Sequence, residues 1–353
     1  MTAIRVAING YGRIGRNFLR ALYEDRLKGV KRPIEVVAIN DIGSPESLVH
    51  LTRYDTTHGI FQLPVVLDEY QLCVAGDAIP LTQFEHPELC PWSELDVDVV
   101  LECTGLYRSH ADAMRHINAG AKRVIIGAVA FDEVDATIIY GVNQHTLSGD
   151  ETIISSASCT THCLAPLLSV LNDEWGVEQA LMTEIHAYTS DQQLLDKTHR
   201  DLRRARSGAQ NLIPTSSSSI GAIQKVLPFM AGRIDGYSMR VPTINVAAVD
   251  LTVDLGQKVP AEAINQAMRS ATDNQFQGIL AISEEPLVSS DFIHRPESAI
   301  FDTAETRSIG QMVKITAWYD NEWGYTHRLL DLLGCLSPTA QSQTTKESVK
   351  CQS

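Results

Sequence analysis

Ile8-Asn9-Gly10-Tyr11-Gly12-Arg13-Ile14-Gly15 is the stretch that decides the fold of this 353-residue chain. The apolar residues that lead into it predict a buried strand over Ile4–Asn9, and a helix with an apolar stripe is predicted after it. Glycines at these spacings allow a tight turn and let the backbone approach a pyrophosphate, which then meets the helix N-terminus. The stretch therefore predicts a dinucleotide-binding unit at the start of the chain.

An acidic residue, Asp41, follows the second predicted strand, which covers residues 34–40. A carboxylate at this point can hold both hydroxyls of the adenosine ribose. Its charge would also repel a 2′-phosphate, so the sequence favours NAD over NADP. NADP use stays open, because Lys197 in a later loop can supply a compensating charge if that loop reaches the adenosine end.

Strands and helices alternate through the first half of the chain, with further strands predicted over residues 97–103 and 122–126. Such alternation is typical of a doubly wound parallel sheet of the Rossmann type. From residue 177 the strands lengthen and carry polar residues on one face, which indicates an α+β domain with a mostly antiparallel sheet. Its predicted strands cover 177–186, 237–241, 246–254 and 312–319, with one helix over 261–271.

Composition excludes several classes of function. Apolar residues make up 44% of the chain, and the net charge of −14 argues against nucleic acid as a partner. No apolar run is long enough to span a bilayer, and the N-terminus lacks a signal-peptide layout, so we expect no membrane partner and a cytoplasmic location. The seven cysteines show no metal-ligand spacing, which predicts reduced thiols and no metal site.

One of these cysteines lies where a β-type run meets a helix, in Ser158-Cys159-Thr160-Thr161-His162-Cys163. An apolar stripe of leucines begins just after it, so Cys159 is expected at the positive end of a helix. That position favours the thiolate and predicts a lowered pKa for the thiol. The free N–H groups of the first turn can also receive the oxyanion formed when a thiolate adds to a carbonyl.

A histidine, His186, ends a predicted strand of the second domain and can pair with Cys159 as a general base. Thr189, Arg204, Arg206 and Arg240 lie in the same half and suit phosphate groups. Arginines of the long polar segment 189–219 can equally form salt bridges at the surface or between subunits.

We therefore expect an α/β protein of two domains. Residues 1–158 form an NAD-binding Rossmann domain, which a C-terminal helix over 323–336 completes, and residues 159–322 form the catalytic domain. The tail over 337–353 is low in apolar residues and is expected to be disordered.

Five stretches, taken together and in this order, resemble the glyceraldehyde-3-phosphate dehydrogenase family over nearly the whole chain. They are Ile8-Asn9-Gly10-Tyr11-Gly12-Arg13-Ile14-Gly15-Arg16, Ala157-Ser158-Cys159-Thr160-Thr161, His186-Ala187-Tyr188-Thr189, Arg240-Val241-Pro242-Thr243 and Trp318-Tyr319-Asp320-Asn321-Glu322-Trp323-Gly324-Tyr325. The resemblance implies that Cys159 is the nucleophile and His186 its base. A hemithioacetal on Cys159 would pass hydride to NAD, and inorganic phosphate would release the resulting thioester as an acyl phosphate, 1,3-bisphosphoglycerate.

The resemblance also assigns binding residues and a partner. Those implied for the cofactor are Asn9, Gly10, Gly12, Arg13, Ile14, Gly15, Asp41, Thr104 and Asn321, the last holding the nicotinamide carboxamide. Thr189 and Arg240 would bind the substrate phosphate. The attacking phosphate would meet Ser158, Thr160, Arg204, Ser217 and Ser218. Segment 189–219 would pack against neighbouring subunits, which implies a homotetramer.

Several positions depart from the family pattern. Among them, His162 replaces an asparagine, and the stretch 214–219, with its serine run over 216–219, stands where the family has a threonine–glycine pair. The lost glycine leaves the attacking-phosphate site open to question. An alternative is therefore the sister activity erythrose-4-phosphate dehydrogenase, which hydrolyses its thioester with water. Asp191-Gln192-Gln193 is similar to that branch, whereas the Thr189 hydroxyl is not typical of it.

Two further alternatives belong to other classes. A binding or regulatory protein on a dehydrogenase scaffold is disfavoured, because Cys159, His186 and Asn321 are all present. An acyl-phosphate reductase acting on an amino-acid derivative is disfavoured by the cationic and hydroxyl groups that suit a sugar phosphate.

Overall fold

A computed structural model describes residues 3–336 of the chain, so the predicted tail over 337–353 lies outside the described residues. The described residues divide into two compact units. Unit 1 holds the residues up to 140, together with 144–157 and those from 326 onward. Unit 2 holds residues 141–143 and 158–325.

Unit 1 is built on a nine-stranded sheet in the order β10-β11-β9-β8-β1-β2-β7-β6-β5. Its strands are β1 Ile4–Asn9, β2 Ile34–Asn40, β3 Tyr54–Asp55, β4 Gly59–Ile60, β5 Val65–Asp68, β6 Gln71–Val74, β7 Asp77–Thr82, β8 Val99–Glu102, β9 Arg123–Ile126, β10 Ala136–Thr137 and β11 Ile153–Ser155. Strands β3 and β4 form a separate pair. Its helices are α1 Arg13–Leu27, α2 Pro45–Arg53 and α3 His110–Asn118.

The pairing within this sheet is parallel from β10 through β7, and only β5, β6 and β7 pair antiparallel. Parallel strands need apolar side chains on both faces because helices cover both, and the buried run of β1 has that character. The predicted doubly wound fold is confirmed. The antiparallel meander over 65–82 was not predicted, since its strands are short and partly exposed.

Unit 2 is built on a seven-stranded sheet in the order β13-β14-β12-β15-β18-β17-β16. Its strands are β12 Gln179–Ala187, β13 Ile213–Thr215, β14 Ile234–Val241, β15 Ala247–Asp254, β16 Leu280–Ser283, β17 Ala299–Ile309 and β18 Met312–Tyr319. The helices that follow α3 are α4 Cys159–Trp175, α5 Ser219–Val226, α6 Ala261–Asp273 and α7 Trp323–Cys335, whose residues from 326 belong to unit 1.

Four of the pairings in this sheet are antiparallel, whereas β12–β14 and β16–β17 are parallel. The predicted mostly antiparallel sheet is confirmed, with these two parallel pairs as additions. The prediction of a single helix among these strands is wrong, because α5 also forms there. Its eight residues begin at Ser219, the last residue of the serine run, and such a run is typical of a loop.

The parallel pair β12–β14 has a register that places Met182 opposite Gly236 and His186 opposite Arg240. A Cβ atom on Gly236 would lie 2.1 Å from the Met182 carbonyl oxygen. Only glycine therefore fits at this position without a backbone shift.

None of the helices within residues 3–336 is long and apolar enough to cross a membrane.

Candidate active site

The start of helix α4 presents the predicted nucleophile. Ser158 is the N-cap, and its Oγ accepts a hydrogen bond from the Thr161 N–H at 3.2 Å. Cys159 is therefore the first helical residue, at the positive end of the helix. Most of the helix after it is buried, which fixes the position of the thiol. The predicted helix start is confirmed.

The thiol faces the predicted base. Cys159 Sγ lies 3.6 Å from Nε2 of His186, which is buried near the end of β12. His186 Nδ1 lies 2.6 Å from the Ala187 carbonyl oxygen, and this acceptor favours the tautomer with the ring proton on Nδ1. In that tautomer Nε2 is free to accept the proton of the thiol. The structure thus brings together the two residues that the sequence pairs.

Arg240 approaches the imidazole from the side away from the thiol, with Nη1 2.9 Å from His186 Nδ1. A guanidinium can only donate, so it favours the tautomer with Nδ1 unprotonated, and when Nδ1 carries the proton Arg240 acts on the ring through its charge. Burial and the Arg240 charge together lower the pKa of His186 to about 4. Burial, and after it the Glu184 carboxylate, raise the pKa of the Cys159 thiol to about 12. Both partners are therefore neutral at pH 7, and the proton must pass to His186 as the thiol attacks.

The predicted lowering of the thiol pKa is consequently wrong for this pocket. The helix N-terminus favours the thiolate, but the loss of hydration around Cys159 is the largest influence on its pKa. The sequence indicates the end of the helix and does not indicate how deeply the sulfur is enclosed.

A buried acid that sequence reasoning missed, Glu184, lies beside the base. Its Oε1 is 3.7 Å from His186 Nε2, and its side chain is 4% exposed. Oε1 accepts a hydrogen bond from Thr160 Oγ1 at 2.8 Å, and Oε2 accepts one from Ser217 Oγ at 2.7 Å. The alternation along β12 puts residues 184 and 186 on the same buried face, and that period-two pattern was the available signal.

Burial alone would raise the pKa of Glu184. Protonated His186, which is present only at acid pH, the Arg240 charge and the hydrogen bonds from Ser217 and Thr160 nevertheless hold that pKa below its ordinary value. Glu184 is therefore ionised at neutral pH. Thr160 Oγ1 also lies 2.7 Å from the Tyr319 hydroxyl, so the acid belongs to a buried hydroxyl network.

The other residues predicted for phosphate are placed as follows. Ser158 Oγ lies 2.9 Å from Ser219 Oγ, which joins the serine run to the start of α4. Ser218 is exposed at the N-cap position of α5, where its side chain makes no capping hydrogen bond. Thr189 is half-buried, and its N–H donates to Gln192 Oε1 at 3.2 Å.

Arg204 pairs with acids rather than pointing as a free cation into the catalytic pocket. Its guanidinium lies 3.4 Å from both Asp191 and Asp201, and Nη2 donates to the Ser216 carbonyl oxygen at 3.2 Å. His162, one of the departures from the family pattern, is buried with its ring edge-on to Tyr325.

In unit 1 the glycine-rich loop joins β1 to α1 as predicted. Gly10 has φ +88°, and a Cβ there would lie 2.6 Å from the backbone nitrogen of Thr104. A Cβ on Gly15 would lie 2.4 Å from the Gly10 carbonyl oxygen, whereas one on Gly12 would meet nothing within 4 Å. The first and third glycines therefore allow close packing, and the second leaves open space above the N-terminus of α1.

A buried polar network holds this loop and was not predicted. Asn9 Nδ2 donates to Glu102 Oε2 at 2.6 Å, and Thr104 N–H donates to Glu102 Oε1 at 2.7 Å. His116 Nε2 lies 3.1 Å from Glu102 Oε2, while Trp92 Nε1 donates to His116 Nδ1 at 3.0 Å. The Trp92 bond assigns the ring proton to Nε2, so the imidazole donates to the carboxylate. Glu102 is thereby fully satisfied without a cation.

The two charged residues predicted at the cofactor also make contacts within unit 1. Asp41 accepts hydrogen bonds from the backbone N–H groups of Tyr11 and Gly43, at 2.7 and 2.8 Å. Arg13 makes a bidentate pair with Asp55. Asp41 thus ties the second strand to the glycine-rich loop.

Comparison with known proteins gives concordant matches. Residues 4–110 match the NAD binding domain of glyceraldehyde 3-phosphate dehydrogenase, and residues 158–321 match the C-terminal domain of the same enzyme. Two proteins of Cupriavidus necator, the plasmid and the chromosomal glyceraldehyde-3-phosphate dehydrogenase, are each 49% identical over 328 residues. Those residues cover 93% of this chain and 97% of each relative.

The chain belongs to the glyceraldehyde-3-phosphate dehydrogenase family. The resemblance drawn from the sequence is therefore confirmed, and so is the NAD cofactor, since the N-terminal match is to an NAD binding domain. Within residues 3–336, no group of three or more histidines, cysteines or acids is arranged to hold a metal ion.

The different surroundings of Gly12 and Gly15 in the glycine-rich loop suggest a matched pair of variants. Gly15→Ala should lower the free energy of unfolding by about 1–3 kcal/mol, because its Cβ would overlap the Gly10 carbonyl oxygen. Gly12→Ala should change that free energy by only about 0.5 kcal/mol but weaken NAD binding, since its Cβ would fill the open space. Urea unfolding without NAD and titration calorimetry with NAD measure the two effects. Equal unfolding free energies for the two variants would contradict this account of the loop.

Proposed function

We propose that this protein oxidises glyceraldehyde 3-phosphate with NAD through a thioester on Cys159 and transfers the acyl group to inorganic phosphate. The observation that carries the proposal is the 3.6 Å approach of Cys159 Sγ to His186 Nε2 at the start of α4. This arrangement joins a nucleophile, a base and a helix N-terminus in one place.

The first step is addition of the thiol to the aldehyde. His186 Nε2 takes the thiol proton while the sulfur bonds to the carbonyl carbon, and the N–H groups at the start of α4 stabilise the resulting oxyanion. His186 is suited to this step because it is neutral at pH 7. The imidazolium formed lies 3.7 Å from Glu184, whose negative charge stabilises it.

The second step converts the hemithioacetal to a thioester. NAD, when bound, accepts the hydride from the former aldehyde carbon. The residues present fit this cofactor: Gly12 leaves open space at the N-terminus of α1, and the Asn321 amide oxygen is buried without a protein partner in the described part of the chain. That oxygen suits the carboxamide N–H₂ of nicotinamide. Asp41 would accept the ribose hydroxyls and disfavour a 2′-phosphate.

The third step transfers the acyl group. Phosphate oxygen attacks the thioester carbon, the carbon–sulfur bond breaks, and the departing Cys159 thiolate recovers its proton from His186. Arg240 and Thr189 would hold the substrate phosphate. The position of Arg240 beside His186 supports this role for Arg240.

A second candidate is the hydrolytic oxidation of erythrose 4-phosphate. One observation favours it: the Thr160 and Ser217 hydroxyls, which the attacking phosphate would need, both donate to Glu184. An acceptor without charge, such as water, avoids repulsion by that acid.

Initial rates separate these two functions. Each aldose phosphate is assayed with and without inorganic phosphate, using NAD and then NADP. Turnover of the triose that depends on phosphate supports the proposed function. Faster oxidation of the tetrose, independent of phosphate, would replace the proposed function with the hydrolytic one. A higher rate with NADP than with NAD would contradict the role given to Asp41.

We also propose a homotetramer in the cytoplasm. Leu194, Leu195 and Leu202 of segment 189–219 are each more than three-quarters exposed, which suits burial against a neighbouring subunit. The cysteines described as free support a reducing compartment. Light scattering should give a mass near four times 38.8 kDa, and a monomer mass would exclude the tetramer.

A further inference from the structure

Glu184 places a negative charge among the groups that an attacking phosphate would use. Both of its carboxylate oxygens are engaged, one by the Thr160 hydroxyl and the other by the Ser217 hydroxyl. Each hydroxyl has a single proton to donate. An incoming phosphate therefore receives those protons only if they leave Glu184.

Arg204, the cation predicted to bind the attacking phosphate, is already paired with acidic side chains. Arg204 lies 3.4 Å from both Asp191 and Asp201. The charges described around the thiol are then Glu184 and Arg240, which oppose each other, because Cys159 and His186 are neutral. A phosphate dianion that approaches the thioester finds little net positive charge and one ionised carboxylate.

We propose that Glu184 determines the acyl acceptor: it weakens the use of inorganic phosphate while it supports the oxidation step that precedes it. The inference rests on the proposed function, since both steps occur on the Cys159 thioester. The two effects follow from one charge, which stabilises the imidazolium on His186 at 3.7 Å and repels an anion at Thr160 and Ser217. Glu184 is thus a positioning residue for the base and a specificity residue for the acceptor.

The test separates the two steps in one variant, Glu184→Gln. The amide keeps the size of the side chain and removes its charge. We expect the rate constant of the NADH burst without phosphate to fall about threefold to tenfold, because the imidazolium loses its stabilising partner. We expect the KM for phosphate in steady-state turnover to fall about tenfold, because the repulsion is gone. A merely structural role would not improve the use of phosphate.

Glu178→Gln is the matched control. Glu178 is an exposed acid near the other end of the same strand, so its loss should change neither the burst nor the KM for phosphate. An unchanged or increased KM for phosphate in Glu184→Gln, with a burst of one NADH per chain, overturns the inference. Absence of a burst in the wild-type protein instead overturns the proposed function, so the two failures are distinguishable.

A measurement on the unmodified protein keeps the inference testable if Glu184→Gln does not fold. The thioester is formed in a burst and then mixed with increasing concentrations of inorganic phosphate. Release of the acyl group should reach half its maximal rate only above about 1 mM phosphate, the upper end of ordinary KM values. Half-saturation below that concentration would show a well-formed phosphate site and overturn the inference.

Discussion

Cys159→Ser is expected to lower the rate of aldehyde oxidation by about 10⁴-fold or more, since the thioester can no longer form. A serine hydroxyl is a far weaker nucleophile than a thiol, and the neutral His186 is not a strong enough base to ionise it. Single-turnover formation of NADH measures the step directly, because it precedes any transfer to phosphate. The burst should disappear while NAD binding, measured by calorimetry, stays unchanged.

Cys73→Ser provides the matched control for loss of a thiol. Cys73 lies on the antiparallel meander of unit 1 and is only partly buried, so its replacement should leave the burst intact. A full burst in Cys159→Ser would show that another group attacks the aldehyde and would exclude the assigned mechanism.

His186→Asn should slow the same burst by about 10²–10⁴-fold, which is the usual contribution of a positioned base. It should also move the pH optimum upward. Without His186, attack depends on the thiolate present before reaction, and burial holds the pKa of Cys159 at about 12. The fraction of thiolate, and with it the rate, should then rise about tenfold per pH unit as far as the protein stays folded.

Burst rates measured between pH 6 and pH 10 test this shift. The wild-type protein should reach a plateau, because His186 is neutral above its pKa of about 4. His50→Asn, which changes an exposed histidine of α2, should keep the wild-type profile. A plateau in His186→Asn as well would mean that His186 does not accept the thiol proton.

The parts of this molecule that short-range rules determine were predictable from sequence. The glycine-rich loop follows directly from residues 8–15, and the start of α4 follows from the leucine stripe after Cys159. Each depends on neighbours within a few residues, such as the bond from Thr161 N–H to Ser158 Oγ. The meander over 65–82 escaped prediction, because strands this short carry little periodicity.

The sequence identified Cys159 and His186 because both lie in distinctive stretches. It did not predict the direction of the shift in the thiol pKa or the acid beside the base. The bond that ties Ser217 to Glu184 spans 33 residues, and the Thr160 contact with Tyr319 spans 159. Such contacts arise only when the strands of unit 2 have paired. The depth of burial that governs the pKa values of Cys159 and His186 likewise belongs to the packed sheet and is not visible in any one segment.

The register between β12 and β14 sets the distance between two catalytic-site residues. Gly236 can lie against Met182 only because it has no side chain, and four residues farther along both strands the same register places Arg240 beside His186. Side chains alternate between the two faces of a strand, so one residue inserted between 236 and 240 would turn Arg240 to the opposite face. Both the identity of Gly236 and the number of residues from 236 to 240 are therefore needed to keep Arg240 beside His186.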